Sequence, residues 1–271
     1  MQKTIKYAMV AFVAIITIAG CKKEINYNAK FANGGNGCKL TSVDTDLGIL
    51  GKYSISYTYD ASGRLAKVTS DGESRVYTYT ATKITGVLPD GEITELTISD
   101  GKAVSSYNSD FFNVNGVSIP VTRNYAYNAD GYLSVVKSYL DKKLNFTTEL
   151  TYSNSNLVQS KITYAEDNAV ETTTYEYSSQ LSVNPYETSD PVSLIVDYMP
   201  GGYFGKYSKN VVIKSIQRSS KSDDQLVSDY SYKFDAKGNA TYTAVKSSQK
   251  LGDGTVLNES SLTFSLVYNC K

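Results

Sequence analysis

A chain of 271 residues without a single histidine leaves catalysis little to work with. The Ser-His-Asp and Cys-His nucleophile systems are excluded outright. Carboxylates remain as general acids and bases, and two adjacent pairs stand out, Glu166-Asp167 and Asp223-Asp224. Neighbours on a strand point to opposite faces, whereas glycoside hydrolysis needs two carboxyl groups roughly 5–9.5 Å apart across one bond. Both pairs therefore read as charged hairpin tips. Asp71-Gly72, Asp90-Gly91, Asp100-Gly101 and Asp253-Gly254 read as turns, because glycine tolerates positive φ. No group of Cys, Asp or Glu has metal-ligand spacing, so neither an enzyme nor a metal or other cofactor is expected.

The chemistry that does stand out belongs to three cysteines, Cys21, Cys38 and Cys270. Residues 1–20 carry Lys3 and Lys6, a short apolar run and small residues before Cys21, the layout of a secretory signal peptide. Ile18-Ala19-Gly20-Cys21 resembles the bacterial lipobox, in which the cysteine takes a diacylglycerol and palmitate-type acyl chains to become the mature N-terminus. At about 0.8 kcal/mol per buried methylene, such chains anchor a protein to a bilayer. Lys22-Lys23-Glu24 follows without an Asp directly after the cysteine, a pattern resembling outer-membrane lipoproteins. Cys38 and Cys270 are left near either end of the folded part. An oxidising compartment permits a disulfide between them, worth about 5 kcal/mol in the chain-entropy model; the other reading is two unpaired thiols.

Whole-chain charge narrows the partners. The chain has 27 basic and 27 acidic residues, and losing Lys3 and Lys6 with the leader leaves 25 against 27. That balance supplies no field for nucleic acid. Residues 21–40, polar and Gly/Asn-rich, read as a flexible tether, and 41–271 as a single all-β domain.

The elements are β-hairpins. Tyrosine is the outlier of the composition, 24 residues with no Trp, and it favours half-wet pleated surfaces. Tyr53, Ile55, Tyr57 and Tyr59 alternate with hydroxyl residues, Asp60 to Gly63 supply turn chemistry, and Leu65 begins a return strand. Tyr125-x-Tyr127-Asn128-Ala129-x-Gly131-x-Leu133 and Tyr232-x-Phe234-Asp235-Ala236-x-Gly238-x-Ala240 repeat the arrangement. Degenerate copies lie between, and successive copies are often about 20–25 residues apart, so each hairpin needs a neighbour to bury its apolar face. The expected fold is an antiparallel meander of successive hairpins forming a curved or closed, barrel-like sheet. Leu144, Phe146, Leu150 and Tyr152 should share the dry face of one strand, and Leu262, Phe264, Leu266 and Tyr268 that of the last.

One stretch departs from this pattern. Asp190 and Pro191 can open a helix, Leu194, Ile195, Tyr198 and Met199 form a stripe, and Pro200-Gly201-Gly202 ends it, predicting one short helix near 190–199 and an aromatic loop. Two readings stay open: a lid over an open end of the sheet, or a set of stacking surfaces for a sugar or apolar ligand formed by Tyr198, Tyr203, Phe204 and Tyr207.

Tyr57-Thr-Tyr59-Asp60-Ala61-Ser62-Gly63-Arg64-Leu65 resembles a YD repeat, the Tyr-Asp hairpin of Rhs-type toxin shells. Spread through a Tyr/Thr/Ser-rich chain of this size, it is more similar to gut Bacteroidetes lipoproteins grouped as a domain of unknown function with a porin-like fold. That resemblance covers about residues 45–270 and implies a curved or closed antiparallel sheet; it carries no catalytic residues. The expected protein is an outer-membrane, lipid-anchored envelope lipoprotein facing the periplasm or the surface, acting as a non-catalytic binding module for a glycan or envelope partner. The alternatives are a carrier of an apolar ligand or lipid inside the barrel, an outer-membrane pore, or a glycosidase.

Overall fold

The computed structural model describes residues 38–48, 51–114, 117–183, 190–194 and 202–270. Period-two alternation and turn residues organise them into sixteen strands. The first eight are β1 (Cys38–Asp46), β2 (Lys52–Tyr59), β3 (Leu65–Ser70), β4 (Glu73–Tyr79), β5 (Lys83–Val87), β6 (Ile93–Ser99), β7 (Lys102–Val114) and β8 (Val117–Tyr127). The rest are β9 (Leu133–Leu140), β10 (Lys143–Ser153), β11 (Asn156–Tyr164), β12 (Val170–Leu181), β13 (Asn210–Ser219), β14 (Ser222–Phe234), β15 (Ala240–Lys250) and β16 (Val256–Cys270). Each strand pairs antiparallel with its neighbours in sequence, and β16 returns to β1 with Val43 opposite Leu266, so the meander closes into a sixteen-strand barrel without a free edge.

The turns explain the register. In all three best-matching hairpins an Asp or Asn side chain caps the turn that its own backbone closes. Asp60 takes the N–H of Arg64, Asn128 that of Tyr132 and Asp235 that of Asn239, at 2.9–3.0 Å. The glycine three residues on, Gly63, Gly131 or Gly238, sits at φ 82–86°, where a side chain would be strained. Asp71-Gly72 and Asp100-Gly101 are two-residue turns with positive φ at both positions, and Asp141-Lys142 and Asn154-Ser155 adopt the same geometry without glycine.

Apolar faces point inward. Ile55, Tyr57, Leu65, Leu96, Leu133, Leu157 and Phe264 belong to one buried cluster, while Ser54, Ser56, Thr58, Lys67 and Lys161 face out. The outer wall also holds the ion pairs Lys83–Glu95, 3.0 Å, and Lys161–Glu149, 3.5 Å. Leu144 departs from the expected pattern: a bulge between Leu144 and Phe146 turns it outward, and it is 43% exposed.

The barrel has two unlike ends. The turns after β2, β4, β6, β8, β10 and β14, both termini of the sheet, and the long β12–β13 connection lie at one end, called here the closed end. The described parts of that connection, 190–194 and 202–209, pack against it. Val192 and Phe204 enter the core, Ala103 N–H donates to the Tyr203 carbonyl (2.7 Å), and Lys206 N–H donates to the Gly131 carbonyl (3.0 Å). Of the short helix expected near 190–199, the described part is one 3-10 turn, Pro191–Leu194. The buried Asp190 carboxylate accepts from the N–H groups of both Val192 and Ser208, capping this turn and tying it to the return leg of the connection.

Candidate functional site

A cleft of about 360 Å³ opens at the closed end, between three hairpin tips and the connection. Its lining includes Arg64 from the β2–β3 turn, Tyr79 and Thr82 from the end of β4 and its turn, Asp100 from the β6–β7 turn, and Tyr203 from the connection. Each is held from behind. The Tyr79 hydroxyl donates to the Leu65 carbonyl (2.7 Å), which fixes its ring as a floor. Arg64 lies over that ring, its guanidinium carbon 4.5 Å from the centroid, and its Nε donates to Asp60 Oδ2 at 2.8 Å. Tyr203 is set by its own backbone, whose carbonyl accepts from Ala103 N–H and, at 3.2 Å, from the Tyr127 hydroxyl.

The electrostatics follow from these contacts. Burial works to raise the Asp60 carboxyl, but the Arg64 backbone and guanidinium outweigh it and hold Asp60 below the usual carboxylate range. The hydrogen bond to Asp60 in turn keeps Arg64 firmly charged. Burial pushes the Tyr203 phenol up against the opposing pull of Arg64, so it stays a neutral hydroxyl at physiological pH. The cleft thus joins aromatic surfaces, hydroxyls from Thr80, Thr82 and Ser99, one cation, and the Asp100 carboxylate.

The residues singled out from the sequence are distributed as follows. Tyr203 lines the cleft. Phe204 does not join it: fully buried, its ring meets the edge of Tyr125 with centroids 5.1 Å apart, so it is core and not a stacking surface. The alternation of side chains along an extended chain separates the two neighbours. Tyr207 is half-buried against the core, and Tyr198 and Cys21 lie outside the described residues. Cys38 and Cys270 face each other directly across the β1–β16 seam and are joined, S–S 1.95 Å. Glu166-Asp167 occupies the β11–β12 turn, where Asp167 pairs with Lys221 at 3.7 Å, and Asp223-Asp224 opens β14. Among the described residues no group of His, Cys, Asp and Glu is placed to hold a metal ion.

Arg64, Tyr79 and Asp100 were not legible as site residues. Their sequence signal is that of turns and strand ends, and only barrel closure brings three separate tips beside Tyr203.

Fold and site together define a class: an all-β, sixteen-strand antiparallel barrel whose inward faces share one buried hydrophobic cluster. Among solved structures it is similar to a porin-like protein from Bacteroides uniformis, with a TM-score of 0.65 and 15% identity over 85% of this chain and 98% of that one. It is also similar to a porin-like protein from Bacteroides vulgatus, with a TM-score of 0.59 and 16% identity over 85% and 98% of the two chains. No family model matches the chain, and no curated protein matches it.

Proposed function

We propose that this protein is a non-catalytic binding module of the cell envelope, and that the cleft beside Tyr203 holds a saccharide of a glycan or glycan-bearing envelope partner. The observation that carries the reading is the placement of Tyr203 and Tyr79 in one cleft with Arg64, Asp100 and three hydroxyl side chains. A sugar ring presents C–H faces that pack on aromatic rings and hydroxyls that pair with carboxylate and guanidinium. A volume of about 360 Å³ lies within the usual span of small-ligand sites, roughly 300–1,000 Å³. Asp100 is the one carboxylate lining the cleft, whereas glycoside cleavage calls for two, which favours binding over hydrolysis. Location at the envelope rests on the leader and the lipobox-like residues ending at Cys21. A membrane-spanning role is disfavoured by the outer wall, since a charge such as Lys161 at a bilayer midplane costs about 2–4 kcal/mol.

The test is thermal unfolding of the protein against a panel of host and microbial glycans. A ligand at about a hundred times its dissociation constant adds roughly 2.7 kcal/mol to stability and raises the midpoint by several degrees. Tyr203→Ala should abolish that shift while leaving the ligand-free midpoint within a degree or two. A shift that survives Tyr203→Ala rules out this cleft, and a panel with no shift rules out the glycan.

A further inference from the structure

Charge is divided unevenly between the two ends of the barrel. Counting the described connections and the two strand residues flanking each, the closed end carries eight basic residues against five acidic. The far end carries six basic against eleven acidic. Residues 22–37, 184–189, 195–201 and 271, which adjoin the closed end in sequence, add four basic and three acidic residues and leave its sign unchanged. A chain that looks balanced as a whole is therefore polar along the barrel axis.

At the closed end Arg64 and Lys83 are paired with Asp60 and Glu95, but four of the other cations are built differently. Four lysines each lie over a tyrosine ring: Lys39 on Tyr59 (4.9 Å), Lys102 on Tyr127 (5.1 Å), Lys206 on Tyr132 (5.5 Å) and Lys233 on Tyr242 (5.1 Å). Among the described residues no carboxylate pairs with any of them, whereas at the far end Lys52 and Lys221 are paired with Asp46 and Asp167. A ring restrains an ammonium group without neutralising it, so the rim presents positive charge whose ordering cost is already met.

From this we propose that the closed end is a docking face for an anionic bilayer surface, the lysine rim seated on lipid phosphates and the acidic far end turned away. The route of the chain agrees with that orientation. β1 begins at the closed end with Cys38, and Cys21 lies 17 residues upstream. An anchor at Cys21 would therefore join the barrel from the rim side and not from the far end. The charge argument does not depend on the cleft reading and needs the anchor only for this last point.

Flotation of residues 21–271 carrying Cys21→Ser, which lacks both the apolar leader and any acyl anchor, with phosphatidylcholine vesicles with and without phosphatidylglycerol tests the proposal. Binding should require the anionic lipid and weaken steeply as salt shortens the Debye length. Each of Lys39→Gln, Lys102→Gln, Lys206→Gln and Lys233→Gln should weaken partitioning about fivefold, since a lysine near such a surface contributes about 1 kcal/mol. The corresponding Arg variants should keep it, which separates lost charge from a damaged fold. The far-end pair Lys142→Gln/Lys143→Gln, and Tyr203→Ala in the cleft, should leave it unchanged. Equal binding to both vesicle types, absence of binding at low salt, or an equal loss from the Lys142/Lys143 variant would overturn the proposal.

Discussion

The two halves of the barrel interior solve the same problem with different side chains. Toward the closed end the filling is aromatic, and eight of its tyrosine hydroxyls have a fixed partner. The hydroxyls of Tyr59, Tyr79, Tyr127, Tyr177 and Tyr232 donate to the carbonyls of Leu40, Leu65, Ala103, Leu157 and Val212, each on the preceding strand, at 2.7–2.8 Å. A second set, Tyr125, Tyr175 and Tyr230, meets Ser106, Ser160 and Ser215 at 2.7–3.2 Å. Toward the far end the filling is charged. Arg75, 5% exposed, pairs with Glu92 at 2.6 Å and also donates to Thr94, while Asn108 donates to the same Glu92 oxygen. Glu171 accepts from Gln217 at 3.0 Å on another wall. A buried tyrosine gains from its ring and needs only one acceptor; a buried ion pair must first recover the desolvation of both charges. The closed half should therefore be the stable part of the molecule, and the far half the part most sensitive to losing a single partner.

The largest single effect is expected in the closed half from Phe204→Ala, which empties a fully buried site under the connection. It should cost about 3–5 kcal/mol in urea unfolding. In the far half Glu92→Gln removes the carboxylate charge facing the buried Arg75 guanidinium and should cost about 3 kcal/mol. The double change Arg75→Met/Glu92→Leu should recover most of that loss in the same assay; if it does not, the pair contributes more than its burial costs and the comparison fails. Tyr232→Phe leaves the ring and removes its bond to the Val212 carbonyl, for a loss of about 1 kcal/mol, and Tyr59→Phe should match it, whereas Tyr177→Phe also loses the Ser208 hydroxyl (3.2 Å) and should cost more.

The smallest effect is in pH dependence, and its sign differs between the halves. Burial pushes the Glu171 carboxyl above its ordinary value of 4.5 despite the hydrogen bonds from Tyr164 and Gln217. The folded state then holds the proton more tightly than the unfolded chain, so Glu171 costs stability as pH rises through 4.5 toward its folded pKa. Glu171→Gln should remove that cost and stabilise the protein at neutral pH. Asp60 and Asp235 at the closed-end turns are held below 3.8, so their contribution is present above that value and is lost as pH falls through their folded pKa values. Unfolding curves of Glu171→Gln and Asp235→Asn should both approach the parent in acid and diverge from it toward neutral pH in opposite directions, Glu171→Gln more stable and Asp235→Asn less.

How much of this was legible in the sequence depended on how local the cause is. Tyr53 to Leu65 specifies its hairpin within a dozen residues, because alternation sets the faces and Asp60 and Gly63 set the turn. The bulge that turns Leu144 out was hidden, since it belongs to the pairing of β10 with β9 and leaves no mark on β10 alone. Arg75 has the same strand parity as Tyr77 and Tyr79 and so points inward with them, but its partner Glu92 follows β5, 17 residues on. Parity announces a buried cation without naming its counter-charge. In the connection two neighbours take different places, Phe204 packing inward and Tyr203 lining the cleft. Composition treats both as aromatic; only the packed barrel tells them apart.

The bridge between Cys38 and Cys270 joins the first strand to the last across the single seam that no hairpin spans. From Cys38 to Cys270 the polypeptide is thus a covalent ring wound once around the barrel. A cut in any one hairpin would open that ring without separating a fragment, turning the molecule into a permuted form of itself with new ends at the cut. Two cuts are needed to release a piece, and reduction restores the ordinary linear rule that one cut suffices.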